Sequence, residues 1–245
     1  CEDTERYPRD EDKRKCYDDA FGGWQYWTNT PDVNLVLLCG TDMKYDGCQG
    51  NYQEYDGMQP LTPAKNWALS KGYTFEYYGT QGINAEFRAS SIAGGMGTKS
   101  RVWSTKHIII GFSGGATFST LVALRAVQQQ AYVLLVVQID SQMKVKASDS
   151  TNTWGNYDEL LKAGVPIYGC HSEDYARGYA RFERYPTPHF GEPDPYRDLP
   201  DDTYMQPPYS ILIPNTKTHK EMAVRQDIFE RYIMPELQKA VNGIP

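Results

Sequence analysis

No stretch of this chain comes near the roughly 20 apolar residues that a membrane-crossing helix needs. The longest apolar run, Ala131 to Val137, is the length of a strand. A basic excess is also missing: 31 Asp and Glu stand against 25 Lys and Arg, a formal net charge of -6. The positive residues are scattered among acidic ones, so long-range attraction to phosphate backbones has no basis and nucleic acid is not an expected partner. Histidine is scarce, with four isolated residues, and no Cys-x-x-Cys occurs. That removes the ligand spacing of a zinc site, and neither metal nor organic cofactor is expected. Internal repeats and a second domain are absent too, and 245 residues suit a single α/β domain, 1-245, with a two-sided core. The chain opens at Cys1 without a methionine or an apolar signal region, as a processed, secreted product would. Its five cysteines are an odd number, so at least one thiol is free or shared with another chain. Cys1, Cys16 and Cys48 lie in polar, Gly- and Asp-rich surroundings, where a Cys1–Cys16 bridge is expected, with Cys16–Cys48 as its rival. Cys39 and Cys170 end apolar runs and read as buried free thiols.

The most informative segment present is His107-Ile-Ile-Ile-Gly-Phe-Ser113-Gly-Gly-Ala-Thr-Phe-Ser119. A β-branched run, Ile108 to Ile110, leads into Gly-x-Ser-x-Gly, and from Ala116 to Val127 the apolar Phe118, Leu121, Val122, Leu124 and Val127 recur at mostly helical spacing. Strand, tight turn and helix in that order are what a nucleophile elbow needs. Gly111, Gly114 and Gly115 are small enough to let strand and helix approach closely. Ser113 is the candidate nucleophile, and the backbone N–H of Gly114 can face a developing oxyanion.

Around this segment the order of elements is that of a doubly wound, mostly parallel α/β sheet with helices on both faces. Strands are expected at Val33–Cys39, Tyr73–Tyr78, Ala131–Ile139, Val165–Cys170 and Ile211–Ile213, with helices at Thr62–Ser70, near Tyr157–Ala163 and over Lys220–Val241. Phe21–Thr28 suits an early strand or hairpin, Tyr45–Gly57 a loop, and the Gly- and Ser-rich Ala89–Ser100 a connection. Residues 1-20 read as an irregular arm. Residues 175-209, rich in Pro, Arg, Tyr and Asp and without periodicity, form an insertion bordering the active site before the last strand.

A serine hydroxyl needs a base, and an imidazole can both accept its proton and return it. His107 lies at the wrong end of the serine strand, His189 inside the insertion, and His171 at a strand end. His219 follows the last strand and precedes the terminal helix, where its ring can hang over the elbow, and ranks first. Asp174, Glu173 and Asp140 all follow strands at the proper end and can orient that ring.

With these residues the chain resembles the α/β-hydrolase superfamily, in its broad serine esterase and lipase group, whose triads run Ser, acid, His along the chain. Val165-Pro-Ile-Tyr-Gly-Cys-His-Ser-Glu-Asp174 is similar to that family's penultimate strand and acid-bearing turn, which implies Asp174 as the acid, with Glu173 and Asp140 as alternatives. Leu35-Val-Leu-Leu-Cys-Gly-Thr41 resembles its oxyanion strand and loop, which implies the N–H of Thr41, or of Asp42, as the donor beside Gly114. Cys39 stands where the family commonly has histidine. The resemblance spans about residues 33 to 241. It implies cofactor-free hydrolysis of a carboxylic ester, small or polymer-linked, through an acyl-enzyme. The polar insertion suits an acyl or aryl ester of a polysaccharide, or a short-chain ester, better than bulk triglyceride. The same constellation serves a peptidase or acyltransferase, and a non-catalytic binding member of the fold is the remaining alternative.

Overall fold

The computed structural model describes residues 33–40, 42–44, 47–80, 84–141, 143–145, 159–172, 203–205, 209–216 and 218–243. Strands β1 (Val33–Leu38), β2 (Thr74–Tyr78), β3 (Lys106–Phe112), β4 (Tyr132–Ile139), β6 (Ile167–Ser172) and β8 (Tyr209–Ile213) form one six-stranded sheet in the order β2-β1-β3-β4-β6-β8. All five pairings in it are parallel. Two short strands, β5 (Met143–Val145) and β7 (Thr203–Met205), pair antiparallel outside this sheet.

Period-two alternation sorts the central strands between two cores. Leu35, Leu37, Ile108, Ile110, Phe112, Leu135 and Val137 face one side. There α1 (Thr62–Ser70) buries Trp67 and Ala68, and the C-terminal helices bury Met222, Ile228, Phe229 and Leu237. Val36, Leu38, Ile109 and Val136 face the other side. They meet Ile92, Ala93 and Met96 of α2 (Ala85–Trp103) and Phe118, Val122 and Ala123 of α3 (Gly114–Gln128). With helices on both sides, β1 is buried along its whole length. Each such large apolar side chain contributes roughly 1.5–3 kcal/mol by leaving water.

The expected doubly wound class is the one observed, and α1 has the expected bounds. Ala89–Ser100 is not a connection but the middle of α2, a 19-residue helix. Asn84 caps it by accepting from the Phe87 N–H, and the buried Ala89, Ile92, Ala93, Met96 and Ser100 lie on one face. Counting Gly and Ser hid that periodicity, although nothing would crowd a side chain at Gly94 or Gly95. The single helix expected over Lys220–Val241 is divided. Extended backbone at Arg225 (ψ 117°) separates α4 (Glu221–Val224) from α5 (Gln226–Ile228), which runs through a π-helical turn at Phe229–Ile233 into α6 (Met234–Asn242). β6 extends past Cys170, so His171 and Ser172 are strand residues. Shortly after Ile139 the chain forms β5, and Tyr45–Gly57, expected as a loop, contains a 3-10 turn at Tyr52–Tyr55.

The cysteine pairing differs from expectation. Cys39 is bonded to Cys48 nine residues on, which excludes both a free Cys39 thiol and a Cys16–Cys48 bridge. Local composition misled because the chain folds back after β1, bringing Cys48 from its polar surroundings to the strand end. Cys170 is the buried free thiol expected, and burial pushes its pKa well up. Cys1, Cys16, the arm, Phe21–Thr28, and 175-209 apart from 203–205 and the start of β8, lie outside the described residues.

Candidate active site

The chain turns sharply where β3 ends. Ser113 has φ 55° and ψ -123°, a conformation costly for a residue with a side chain, of the order of 1–3 kcal/mol. The surroundings hold it there. The Ser113 N–H donates to the Ile139 carbonyl at 2.9 Å, and its own carbonyl accepts from the Ala116 and Thr117 amides as α3 begins. Two glycines are dictated by space: a Cβ on Gly111 would lie 2.4 Å from the Gly115 carbonyl oxygen, and one on Gly115 would lie 2.1 Å from that of Leu38. The elbow therefore exists because strand, helix and the end of β1 approach to backbone contact.

The next strand of the sheet, β4, leads to a carboxylate, and β6 supplies donors to it. Asp140, completely buried and at φ 50°, follows β4 directly. Its Oδ2 accepts from His219 Nδ1 at 2.8 Å and from Ser172 Oγ at 2.8 Å, and its Oδ1 accepts from the Ser172 N–H at 2.6 Å. Because a carboxylate only accepts, Nδ1 of His219 carries the proton and Nε2 is left as the basic nitrogen. The side chain of His219 is 25 % exposed while that of Asp140 has no exposure. The imidazole ring stacks on Phe112, one residue before Ser113, with centroids 4.6 Å apart and planes 26° apart. Ser113, Asp140 and His219 are thus gathered at the carboxyl-end side of β3, β4 and β8, with Phe112, the residue before Ser113, stacked on the His219 ring.

A third side of the site is the turn after β1. A Cβ on Gly40 would stand 3.4 Å from Ser113 Cβ and 3.7 Å from its Oγ, so this turn passes directly by the serine. The Cys39–Cys48 bridge closes the segment, Met43 N–H donates to the Gly40 carbonyl, and Lys44 pairs with Gln49. Tyr55 donates to Asp42 at 2.8 Å and packs edge-on against Phe112. Burial, reinforced by that carboxylate, raises its pKa beyond the ordinary phenol range. Lys220, next to His219, pairs with Glu54 and lies over the Tyr55 ring. Thr41 lies outside the described residues, as do Glu173, Asp174 and His189.

The resemblance implied Asp174, which lies outside the described residues; the carboxylate seen in contact with His219 is that of Asp140, one of the alternatives. His171 is not a candidate base. It is buried within β6, 4.0 Å from Asp140 Oδ1, and burial lowers its pKa against the pull of that carboxylate. His107 is the second residue of β3 and sits at the opposite end of the sheet from Ser113. Ser172 is the site residue that sequence reasoning passed over, since nothing in its neighbourhood marks a strand-end serine as a carboxylate partner. The signal available was its position across from the residue following β4. Among the described residues there is no cluster of His, Cys, Asp and Glu suited to a metal ion and no helix long and apolar enough to cross a membrane.

A doubly wound parallel sheet, with a strained serine elbow after a central strand and a carboxylate–imidazole pair from later strand ends, is the architecture of the α/β-hydrolase fold. No protein-family model matches the chain, and no curated protein does. Solved structures similar to it include the NocB thioesterase domain in covalent complex with a fluorophosphonate nocardicin G analogue, at 11% identity and TM-score 0.43, over 88% of this chain and 97% of that one. A lipase-esterase related protein from Clostridium acetobutylicum is similar at 10% identity and TM-score 0.43, over 87% and 94%. Aspergillus fumigatus lipase B is similar at 10% identity and TM-score 0.39, over 58% of this chain but only 37% of its own length. Likenesses at that level assign no role to any residue of this chain, whose chemistry rests on its own geometry.

Proposed function

We propose that the chain is a serine hydrolase that cleaves carboxylic esters through an acyl-enzyme. The observation that carries this reading is the 2.8 Å contact between buried Asp140 and partly exposed His219, set beside a serine in a strained turn. Nε2 of His219 takes the Ser113 Oγ proton as that oxygen attacks the ester carbonyl, forming the tetrahedral intermediate. The carbonyl π pair moves onto oxygen, where the N–H of Gly114, at the helix start, stabilises it, with the N–H of Thr41, or of Asp42, as the second donor. As the intermediate collapses, the imidazolium protonates the departing alkoxide. Water then repeats the sequence on the acyl-enzyme, with His219 again base and then acid, and releases the acid. Asp140 fixes the tautomer and offsets the charge on His219 throughout.

The polar character of 175-209 supports a water-accessible ester, an acyl or aryl ester on a polysaccharide or a short-chain ester. The Cys39–Cys48 bridge supports an oxidising, extracellular setting. A panel of p-nitrophenyl acetate, a methyl hydroxycinnamate and a peptide amide tests the reading. Turnover of the esters with a stoichiometric burst, abolished by Ser113→Ala and by His219→Ala, is expected. Absence of ester turnover by folded protein, or turnover unaffected by Ser113→Ala, overturns it.

A further inference from the structure

The ladder between β4 and β6 changes character at its last rung. Asp140 N–H donates to the Cys170 carbonyl at 2.9 Å, as a parallel pairing requires. The next bond in such a ladder would run from Ser172 N–H to the Asp140 main-chain carbonyl. It runs instead to the side-chain Oδ1 at 2.6 Å, where Asp140 has left-handed backbone geometry with φ 50°. The carboxylate has taken the place of its own carbonyl. That substitution alone fixes one oxygen and leaves the group free to pivot about it. The Ser172 hydroxyl removes this freedom: it donates at 2.8 Å to Oδ2, the same oxygen that receives His219 Nδ1. Both Asp140 and Ser172 are without solvent exposure, so no water competes for these bonds at the surface.

We propose that Ser172 is a positioning residue, whose hydroxyl locks the Asp140 carboxylate in the one orientation that presents Oδ2 to His219. Ser172 touches no reacting atom; it acts through Asp140. The proposal rests on the serine hydrolase reading for its kinetic consequences but not for its geometry. A charge-assisted hydrogen bond of this kind carries enough energy that its loss, in Ser172→Ala, is expected to lower kcat roughly ten- to hundred-fold, with KM little changed. Ser172→Thr keeps the hydroxyl and restores most of kcat.

The test pairs this split, measured on p-nitrophenyl acetate, with proton NMR of the strongly downfield His219 Nδ1–H in Ser172→Ala, Ser172→Thr and the unaltered protein. The resonance should move upfield and exchange faster with water in Ser172→Ala and be retained in Ser172→Thr, while thermal melting shows all three folded. A resonance unchanged in Ser172→Ala overturns the proposal, as does a fall in kcat that Ser172→Thr fails to rescue. If the unaltered protein hydrolyses no ester, the function reading fails, and the resonance still decides whether Ser172 holds the pair.

Discussion

The sheet carries a buried polar network at each end, and each contains a histidine, yet the two are built to opposite purposes. At the amino ends of the strands, His107 is fully buried. Its Nε2–H donates to the Met96 carbonyl at 3.0 Å, and its Nδ1 faces Asn34 Nδ2 at 3.4 Å. Asn34 in turn donates to Glu76 and accepts from Thr74, and Glu76 pairs with Lys99. Burial, and then the Lys99 charge, depress the His107 pKa to about 4. Both of its nitrogens are engaged by neutral groups, which leaves the ring neutral and inert. At the carboxyl ends, His219 keeps one nitrogen on a buried carboxylate and a quarter of its side chain in the open. The two histidines thus differ in what their nitrogens face, neutral groups for His107 and a buried carboxylate for His219.

Breaking the carboxyl-end network should give the largest effect. Asp140→Asn leaves the shape but forfeits the acceptor that selects the tautomer, and kcat is expected to drop by about ten-thousandfold with the melting temperature little changed. Steady-state kinetics on a p-nitrophenyl ester checks it; a loss under tenfold contradicts Asp140 as the orienting acid. The same experiment on His107→Gln should leave kcat within about a factor of two or three, because no reacting group is near.

Acid sharpens the contrast from the other side. The His107 pKa lies at about 4 in the fold and near 6.5 when unfolded, so below pH 6.5 the unfolded chain takes up a proton that the fold refuses. Stability is therefore full above about pH 6.5 and lost as pH falls towards 4, by on the order of 3 kcal/mol from this residue. Burial of His171 acts in the same direction. Urea titrations at a series of pH values should show this slope flattened in His107→Gln, and an unchanged slope contradicts the assignment.

How much of this was visible in the residues beforehand follows from the range over which each signal acts. The elbow is local: Ile108–Ile110, Gly111, Ser113 and Gly115 lie within one strand and turn, and the packing they imply is what Gly111 and Gly115 display. His219 follows the last strand and so lies on the side of the sheet that carries Ser113. Its carboxylate partner stayed open among Asp174, Glu173 and Asp140, because all three follow strands and chain order does not show which of them the fold brings to His219; among the described residues the contact is with Asp140. Cys39–Cys48 escaped for the same reason, being set by how the chain returns after β1. α2 escaped for a different one, since its glycines obscure a periodicity whose helix is held by Asn84 and by burial of Ile92 and Met96.

Two smaller perturbations separate the ends further. Cys48→Ser, which opens the nine-residue separation between Cys39 and Cys48, should cost roughly 2–3 kcal/mol in stability by chain entropy. It should also lower ester turnover, because the released segment passes Ser113; turnover unaffected by Cys48→Ser or by thiol reductant contradicts that. Gly95→Ala, on an exposed helical position with open space beyond it, should stabilise the protein by about 0.5–1 kcal/mol and leave kcat unaltered, as thermal melting and the ester assay will show.

The most direct measurement is the mass of the protein after exposure to a fluorophosphonate, with peptide mapping of the adduct. One equivalent on Ser113, formed rapidly by the unaltered protein and far more slowly by His219→Ala and Asp140→Asn, is the predicted result. An adduct on another residue, or none on folded protein, contradicts the claim that these three side chains act together.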